Sequence, residues 1–473
     1  MKQMLKQQRG FPGIVISGLR GGSGKTIISI GIISALTGQG KSIAPFKKGP
    51  DYIDAGWLAL AAGHPCYNLD TFLIDQNQIL KSFYSHTSNN QIAVIEGNRG
   101  LYDCIDTSGA TSTAELAKLI NAPVILCVDC TKATRTIAAL VCGCLMFDPG
   151  LSIKGVILNR IAGPRHENIL RKSIEQHCNV KVLGAVPKLK KDNFPERHMG
   201  LVPTHEHEWA NQSVQAASDM ANRYLDLNAI TNLATQHTQL TTSSPPAITT
   251  RKTVSRVQNG IRIGIIKDSA FQFYYPENIE AIQAAGAELI YISPLTETSL
   301  PRIHALYIGG GFPETHANEL SRNQEFRNQI KSLAQKGLPV YAECGGLMYL
   351  GKELVLDSKS YPMAGVLPVV FGFSRKPQGH GYTICFVDRE NPYFDVGTTF
   401  RGHEFHYSKV LESHATNQDT VFSMKRGAGF QNGRDGLCYK NVLATYTHIH
   451  ALSIPSWAKA LVRNAKTWQK LMK

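Results

Sequence analysis

Two α/β domains in series are what this sequence predicts, and three observations predict them. Short apolar runs alternate with helical stretches up to about residue 230, a second alternating series begins at Ile261, and a segment without apolar periodicity lies between. Such alternation argues for parallel strands covered by helices, with ligands bound at the strand C-terminal ends. The expected boundaries are 1–234 for the first domain, 235–259 for a linker and 260–473 for the second domain.

In the first domain Gly13-Ile-Val-Ile16, Ile92–Ile95, Val124–Val128 and Gly155–Leu158 read as strands, and Ile27–Leu36, Thr113–Ile120 and Thr134–Leu145 as helices. The first strand and first helix are joined by Ser17-Gly-Leu-Arg-Gly-Gly-Ser-Gly-Lys-Thr26. Strand, glycine-rich loop and Lys-Thr are the parts of a phosphate cradle. The backbone N–H groups of Gly22, Ser23 and Gly24 wrap phosphates, Lys25 sits on their charge, and Thr26 is placed to ligate magnesium. The spacing departs from the common pattern, because Leu19 stands five before Gly24 and the nearest upstream glycine is Gly18. Two further apolar runs end in acidic residues, Ala44-Pro-Phe-Lys-Lys-Gly-Pro-Asp-Tyr-Ile-Asp-Ala-Gly-Trp57 and Ile95-Glu-Gly-Asn-Arg-Gly-Leu-Tyr-Asp103. Such positions suit magnesium ligands beside a triphosphate. Asp54 fits a metal ligand and a cap of the following helix equally well.

The segment from Thr235 to Asn259 is rich in Thr, Ser, Gln and Pro and centres on Ser243-Ser-Pro-Pro246, the composition of a linker. Beyond it come strand-like Ile261-Arg-Ile-Gly-Ile-Ile266, a helix over Pro276–Ala285, then Glu288–Ile292 and Ala305–Ile308 running into Gly309-Gly-Gly311. Pro339-Val-Tyr-Ala-Glu-Cys-Gly-Gly-Leu-Met348 follows, and after it more polar, hairpin-like segments. A short apolar strand, one cysteine and a glycine pair opening a helix hold a thiol on a sharp turn, where small neighbours admit substrate and the helix N-terminus lowers the thiol pKa. Cys344 therefore reads as a nucleophile.

The formal charge of +14 favours acidic partners, a nucleotide or a polycarboxylate among them. The basic residues are scattered, with no long Lys/Arg block and no basic repeat interleaved with aromatics, so nucleic acid is not an expected partner. No apolar run reaches the ~18 residues of a membrane span, and the first ten residues lack a signal-peptide core, so a cytoplasmic protein without membrane attachment is expected. Ten cysteines without framework spacing fit reduced thiols. The pairs Cys127/Cys130 and Cys142/Cys144 have apolar or small neighbours and no second pair at zinc-ribbon spacing, and are expected to be core thiols.

Taken together, the first-domain motifs resemble the dethiobiotin synthetase-like ATPase domain of the cobyrinic acid a,c-diamide synthase family. The second half resembles that family's class I glutamine amidotransferase domain. Gly309-Gly-Gly-Phe-Pro-Glu314, Glu343-Cys-Gly-Gly346, Arg401-Gly-His-Glu-Phe-His-Tyr407 and Ala444-Thr-Tyr-Thr-His-Ile-His450 carry the likeness. It implies a P-loop parallel-sheet ATPase fused to a flavodoxin-like amidotransferase, with ATP and Mg2+ as cofactors. On that resemblance Lys25, Thr26 and Lys47 hold phosphates, Asp51 and Glu96 stand near the magnesium, and Asn159 meets the adenine edge. Cys344 is the thiolate, His448 its general base and acid, and Gly310, Gly311 and the amide of Gly345 form the oxyanion hole.

Departures from the family pattern are informative as well. Asn98-Arg99 and Cys104 stand where many relatives carry Val-Met and Gly, which singles out Arg99, with Tyr102 and Asp103, as candidate contacts to a substrate carboxylate. The common class I pattern places a glutamate two residues after the histidine, where this chain has His450. The site is then a Cys–His dyad, or its acid comes from elsewhere, with Glu404 a candidate; His403, Glu404 and His406 line a pocket or build a structural strand. The implied reaction amidates the a and c acetates of cobyrinate, a corrinoid polycarboxylate, with ammonia from glutamine and activation by ATP. A domain interface that closes on substrate is expected, and a homodimer is a candidate assembly. Nickel sirohydrochlorin and hydrogenobyrinate are alternative acceptors for the same chemistry. A partitioning-type ATPase binding DNA or protein is the alternative of another class, suggested by Arg20-Gly-Gly-Ser-Gly-Lys-Thr26, although an arginine replaces the lysine usual at that loop's start.

Overall fold

The computed structural model describes residues 11–88, 91–189, 196–197, 200–201, 203–204, 209–236 and 260–472. Two compact units divide the chain, Met1–Thr249 and Thr250–Lys473. Most of the segment expected as a linker lies outside the described residues; its first two, Thr235 and Gln236, instead finish a helix. Among the described residues no helix is long and apolar enough to cross a membrane.

The first unit is a seven-stranded sheet of β1 (Gly13–Gly18), β2 (Ser42–Lys48), β3 (Tyr67–Leu69), β4 (Gln91–Glu96), β5 (Val124–Asp129), β6 (Ile153–Ile161) and β7 (Lys181–Pro187). Their order is β3-β2-β4-β1-β5-β6-β7 and every pairing is parallel. The connecting helices are α1 (Lys25–Gly38), α2 (Tyr52–Ala62), α3 (Gln76–Ser85), α4 (Thr113–Leu119), α5 (Arg135–Phe147) and α6 (Pro164–Cys178). After a short antiparallel ribbon, β8 (Glu196–Arg197) with β9 (Gly200–Leu201), α7 (Ala210–Tyr224) and α8 (Leu227–Gln236) complete the unit. Strands covered on both faces must be apolar throughout, and β1 is buried at every residue. Ile14 and Ile16 of β1 share one core with Ile28, Ile32 and Leu36 of α1 and with Val214, Ala217 and Ala221 of α7. Because β1 lies between β4 and β5, its C-terminal end opens onto the crevice where a parallel sheet binds ligands.

The second unit has a ten-stranded sheet, β11-β10-β12-β13-β22-β21-β20-β17-β18-β23, and a four-stranded one, β15-β14-β16-β19. The strands are β10 (Arg262–Ile266), β11 (Glu288–Ile292), β12 (Ala305–Ile308), β13 (Val340–Glu343), β14 (Glu353–Leu356), β15 (Lys359–Pro362), β16 (Val369–Phe373) and β17 (Gly379–Val387). Then come β18 (Thr399–His406), β19 (Ser408–Ser413), β20 (Thr420–Arg426), β21 (Arg434–Tyr439), β22 (Val442–Thr445) and β23 (His448–Ile449). The helices are α9 (Pro276–Ala284), α10 (Ala317–Arg322), α11 (Gln324–Lys336), α12 (Gly345–Leu350) and α13 (Ser456–Leu471). From β11 to β22 the large sheet is parallel, and beyond β22 it is antiparallel. Only Tyr446 and Thr447 separate β22 from β23, yet β23 pairs with β18 at the far edge of the sheet. At ~3.3–3.6 Å per residue that link spans little more than a strand spacing or two, so the antiparallel part curls back toward β22. The curl delivers β18 and β23 to the C-terminal ends of β12 and β13.

Candidate active sites

The loop between β1 and α1 turns on Gly22 (φ 70°) and Gly24 (φ 87°), backbone that side chains rarely adopt. Gly24 has a second reason to lack a side chain, since a Cβ there would lie 2.2 Å from Asn159 Nδ2. That amide donates to the Ser23 carbonyl at 2.8 Å, so β6 clamps the loop. Asn159, expected on the adenine edge, thus uses its Nδ2 on the loop, while its Oδ1 accepts from the Arg160 amide at 2.9 Å. Lys25 Nζ donates to the carbonyls of Arg99 at 2.7 Å and Arg20 at 3.3 Å. Burial, with Lys47 as second cause, holds the Lys25 ammonium below the usual lysine range.

Beneath the loop the acidic residues form one network. Glu96 Oε1 accepts from Thr26 Oγ1 at 2.8 Å and from Lys47 Nζ at 3.0 Å, and Lys47 also donates to Asp54 Oδ2 at 2.7 Å. Burial alone would lower the Lys47 pKa, but Asp54 and Glu96 hold it above the usual range. Burial pushes the Glu96 carboxyl up to about 7 against the pull of Lys47. Asp51, and not Asp54, caps α2, its Oδ1 accepting from the Asp54 amide at 2.8 Å, and burial together with Asp54 pushes it up to about 6.

These residues fit magnesium. Among the described residues Glu96 Oε2 is a buried acceptor without a hydrogen-bond partner, and Thr26, Glu96 and Asp51 are hard oxygen donors on the face where the loop would hold phosphates. Among the described residues no group of three or more His, Cys, Asp or Glu could hold a metal by itself. That agrees with an ion that takes one or two carboxylates and completes its shell with phosphate and water.

Arg99 is exposed at the mouth of this site with φ 50°. Tyr102, expected with it on the substrate, donates its hydroxyl to the Cys144 carbonyl at 2.6 Å and packs its ring 4.8 Å from Phe147. Asp103 Oδ2 accepts from the Gly100 amide at 2.8 Å and braces the turn that carries Arg99. Asp129 is a neighbour the sequence reading passed over: it accepts from Arg160 at 2.7 Å and from Arg20 at 3.3 Å, tying the phosphate loop to the end of β6. Burial would raise its carboxyl, yet Thr131 and Arg160 hold it at about 2. An acid ending an apolar run was the signal available, the same one that marks Glu96. Cys127 and Cys130 are buried, and Cys142 Sγ lies 2.9 Å from Cys178 Sγ.

In the second unit Cys344 stands between β13 and α12 with φ 47° and ψ −98°, the strained elbow that aims a nucleophile away from its own strand. Its backbone is held on both sides, the amide donating to the Thr445 carbonyl at 2.7 Å and the carbonyl accepting from Met348 at 3.0 Å. The expected lowering of its pKa is not found. Burial, then Glu314, pushes the thiol up, and the Gly345 amide, which hydrogen-bonds the sulfur, offsets this only in part. The α12 N-terminus supplies that amide, but desolvation of a thiolate outweighs one donor.

His448 lies across the same glycine loop. A Cβ on Gly310 would come within 2.4 Å of His448 Cε1, and a Cβ on Gly345 would sit 3.0 Å from the Gly311 amide. Gly310 and Gly311 therefore thread between the elbow and the imidazole, with room for backbone alone. His403 of β18 stacks on His448 with ring centres 4.9 Å apart, and Tyr275 Oη lies 3.3 Å from His403 Nδ1. His450 has other partners, its Nε2 3.5 Å from Glu277 Oε1 and its ring against Tyr275.

Glu404 does not reach His448. Its carboxylate accepts from the Ala428 amide at 2.5 Å and the Gly429 amide at 2.9 Å. Burial would raise it, but these bonds and His406 hold it below the usual range. Two acids absent from the expected set are close by instead. Glu343 Oε2 lies 3.4 Å from His448 Nδ1. Asp435, fully buried on β21, accepts from Thr445 Oγ1 at 2.7 Å and from the Tyr446 and Thr447 amides at 3.0 Å, which fixes the turn leading into His448.

A phosphate cradle, and an elbow cysteine with a histidine on the other side of a glycine loop, carried on two sheets of one chain, define a glutamine-dependent amide ligase. Residues 14–202 match the CobQ/CobB/MinD/ParA nucleotide binding domain, and residues 262–455 match the CobB/CobQ-like glutamine amidotransferase domain. A cobyrinate a,c-diamide synthase of Magnetococcus marinus is 42% identical over 454 residues, covering 96% of this chain and 97% of that protein. Those of Archaeoglobus fulgidus and Dehalococcoides mccartyi are 37% and 40% identical, each covering 96% of this chain and 98% of the relative. The chain belongs to the cobyrinate a,c-diamide synthase family.

Proposed function

We propose that this enzyme converts the a and c acetate side chains of cobyrinate to amides, with glutamine as nitrogen donor and an acyl phosphate at each activated carboxylate. The observation that carries the reading is the pairing, in one chain, of the Cys344 elbow with the cradle of Lys25, Thr26 and Glu96. A carboxylate repels nucleophiles and its oxygen leaves poorly, so amide formation needs the oxygen phosphorylated first.

Lys25 and the loop amides of Gly22, Ser23 and Gly24 hold the polyphosphate, and Lys47 meets the oxygens of the phosphoryl group being transferred or of the acyl phosphate it forms. Thr26, Glu96 and Asp51 would hold the magnesium, whose charge offsets that of the phosphoryl group in flight. The acceptor carboxylate displaces ADP from the γ-phosphorus, giving an acyl phosphate; ammonia then displaces inorganic phosphate and leaves the amide. Arg99, exposed and with its carbonyl held by Lys25 of the loop, would pair with a carboxylate of the macrocycle.

In the other unit Cys344 sulfur adds to the glutamine side-chain carbonyl while the amides of Gly310, Gly311 and Gly345 hold the oxyanion. His448 carries the thiol proton to the departing ammonia, then draws a proton from the water that cleaves the thioester. The test is incubation with ATP, magnesium, glutamine and each of cobyrinate, hydrogenobyrinate and nickel sirohydrochlorin, followed by mass spectrometry. Two amide-for-acid exchanges on cobyrinate are expected; turnover of another macrocycle in its place would transfer the same chemistry to that acceptor.

A further inference from the structure

We propose that Glu343, the residue immediately before the cysteine, is the acid that orients His448, so that the thiol site is a triad whose acid comes from the nucleophile's own strand. The proposal rests on the reading of Cys344 as nucleophile and His448 as its base. Glu343 acts through His448 and is a positioning residue.

Glu343 ends β13 with no solvent exposure. Its two oxygens hold two consecutive residues of β23: Oε2 lies 3.4 Å from His448 Nδ1, and Oε1 accepts from the Ile449 amide at 3.2 Å. Tyr307 Oη donates to Oε2 at 3.3 Å. Among the described residues the His448 ring is the basic group at ion-pair distance from this carboxylate, and a buried carboxylate with one such neighbour stabilises charge on it. When the Cys344 proton moves to the imidazole, the charge appears beside Glu343.

The contact also chooses the nitrogen. An Nδ1–H directed at the carboxylate leaves Nε2 as the proton acceptor, the arrangement a general base needs. Register explains how neighbouring residues serve one site. Glu343 is paired with Thr445 at the strand's last position, whereas Cys344 has already left the strand at φ 47° and turns its Sγ to 3.9 Å from the Phe405 carbonyl of β18. Among the described residues the titratable groups near His448 include His403 from β18, stacked on its ring, with Tyr275 and His450 beyond it; Tyr307, Tyr341 and Tyr274 lie toward the carboxylate, and Cys344 across the glycines.

The test uses the full-length enzyme and the variants Glu343→Gln, Glu343→Asp and Cys344→Ala. Glutaminase kcat and KM are measured from acid to alkaline pH, and amidation supported by added ammonia reports on folding and on the ATPase unit. Glu343→Gln is expected to lower glutaminase kcat by up to about 10⁴-fold, the loss that follows neutralising the acid of a catalytic triad. KM should be little changed, the acid limb of the kcat/KM profile should shift to lower pH, and ammonia-supported amidation should persist. Glu343→Asp, which keeps the charge, should retain the wild-type acid limb and most of the rate even where the Gln variant is insoluble. An unshifted acid limb in Glu343→Gln, or one shifted equally by Glu343→Asp, overturns the triad and leaves Glu343 a packing residue. Glutaminase activity that survives Cys344→Ala overturns the reading of Cys344 itself.

Discussion

At the end of β1, Lys25, Lys47, Asp51, Asp54 and Glu96 crowd one site and neutralise each other, with side-chain contacts down to 2.7 Å. At the end of β13 the proposed reacting groups are a thiol and an imidazole, the imidazole flanked by the carboxylate of Glu343 and backed by tyrosines. Both sites use the C-terminal ends of parallel strands, and both need backbone in the left-handed region. The first places glycine there, at Gly22 and Gly24; the second places the proposed nucleophile itself there, at Cys344. The difference follows from the ligands. Phosphates bring charge that must be met by charge, whereas the glutamine side-chain amide is neutral and its attack creates charge only transiently, so backbone amides in a dry pocket suffice.

That contrast predicts a separation of phenotypes, greatest at the cysteine. Cys344→Ala should remove glutamine-dependent amidation by more than ~10³-fold while leaving ammonia-supported amidation close to wild type, measured side by side in one assay. Gly24→Ala should do the reverse, abolishing nucleotide binding and sparing glutaminase, because its Cβ would fall 2.2 Å from the Asn159 amide at φ 87°. Equilibrium binding of a fluorescent ATP analogue reads this directly.

Smaller effects sharpen the comparison. Lys47→Met leaves buried Glu96 and half-buried Asp54 without their cation, and should cost the first unit about 3–5 kcal/mol in chemical denaturation. Asp435→Asn replaces one of the two oxygens that accept from the Tyr446 and Thr447 amides with a donor and should reduce glutaminase kcat with a stability loss of about 1–3 kcal/mol. The smallest expected effect is one of pH. With Glu96 raised to about 7, the folded protein holds a proton that the unfolded chain has lost, so this stabilising contribution is full below the ordinary glutamate range and disappears as pH rises through 7. Magnesium–nucleotide binding requires the ionised carboxylate, so it should tighten from pH 6 to 8 and release a proton near pH 6.5. Calorimetry in buffers of different ionisation heat should show that release in the wild type and its loss in Glu96→Gln.

Much of this was legible in the sequence because it is local. The continuous apolar run of β1, the Gly-Lys-Thr loop and the strand–Cys–Gly–Gly elbow all lie within a dozen residues, and the structure keeps each where its pattern indicates. β2 was harder to delimit, since Pro45 and two lysines break its apolar run; Lys47 and Lys48 are nonetheless 2% and 4% exposed. What escaped was long-range. Glu343 reaches His448 only because the sheet curls β23 back onto β13, and Asp435 reaches the Thr445–Thr447 turn across a strand pairing. Neither acid has a spacing that marks it. The thiol's raised pKa escaped for a related reason: a helix N-terminus is visible in sequence, and the desolvation that opposes it is not.

The central claim is that nitrogen released at Cys344 is delivered to a carboxylate phosphorylated in the Lys25–Glu96 cradle. It is tested most directly with cobyrinate carrying ¹⁸O in its acetate carboxylates, together with glutamine labelled with ¹⁵N in the amide. The account predicts one ¹⁸O in inorganic phosphate and one ¹⁵N in the macrocycle for every amide formed. Amide formation with unlabelled phosphate, or with ¹⁵N lost to the medium while the product carries nitrogen of another source, would contradict it.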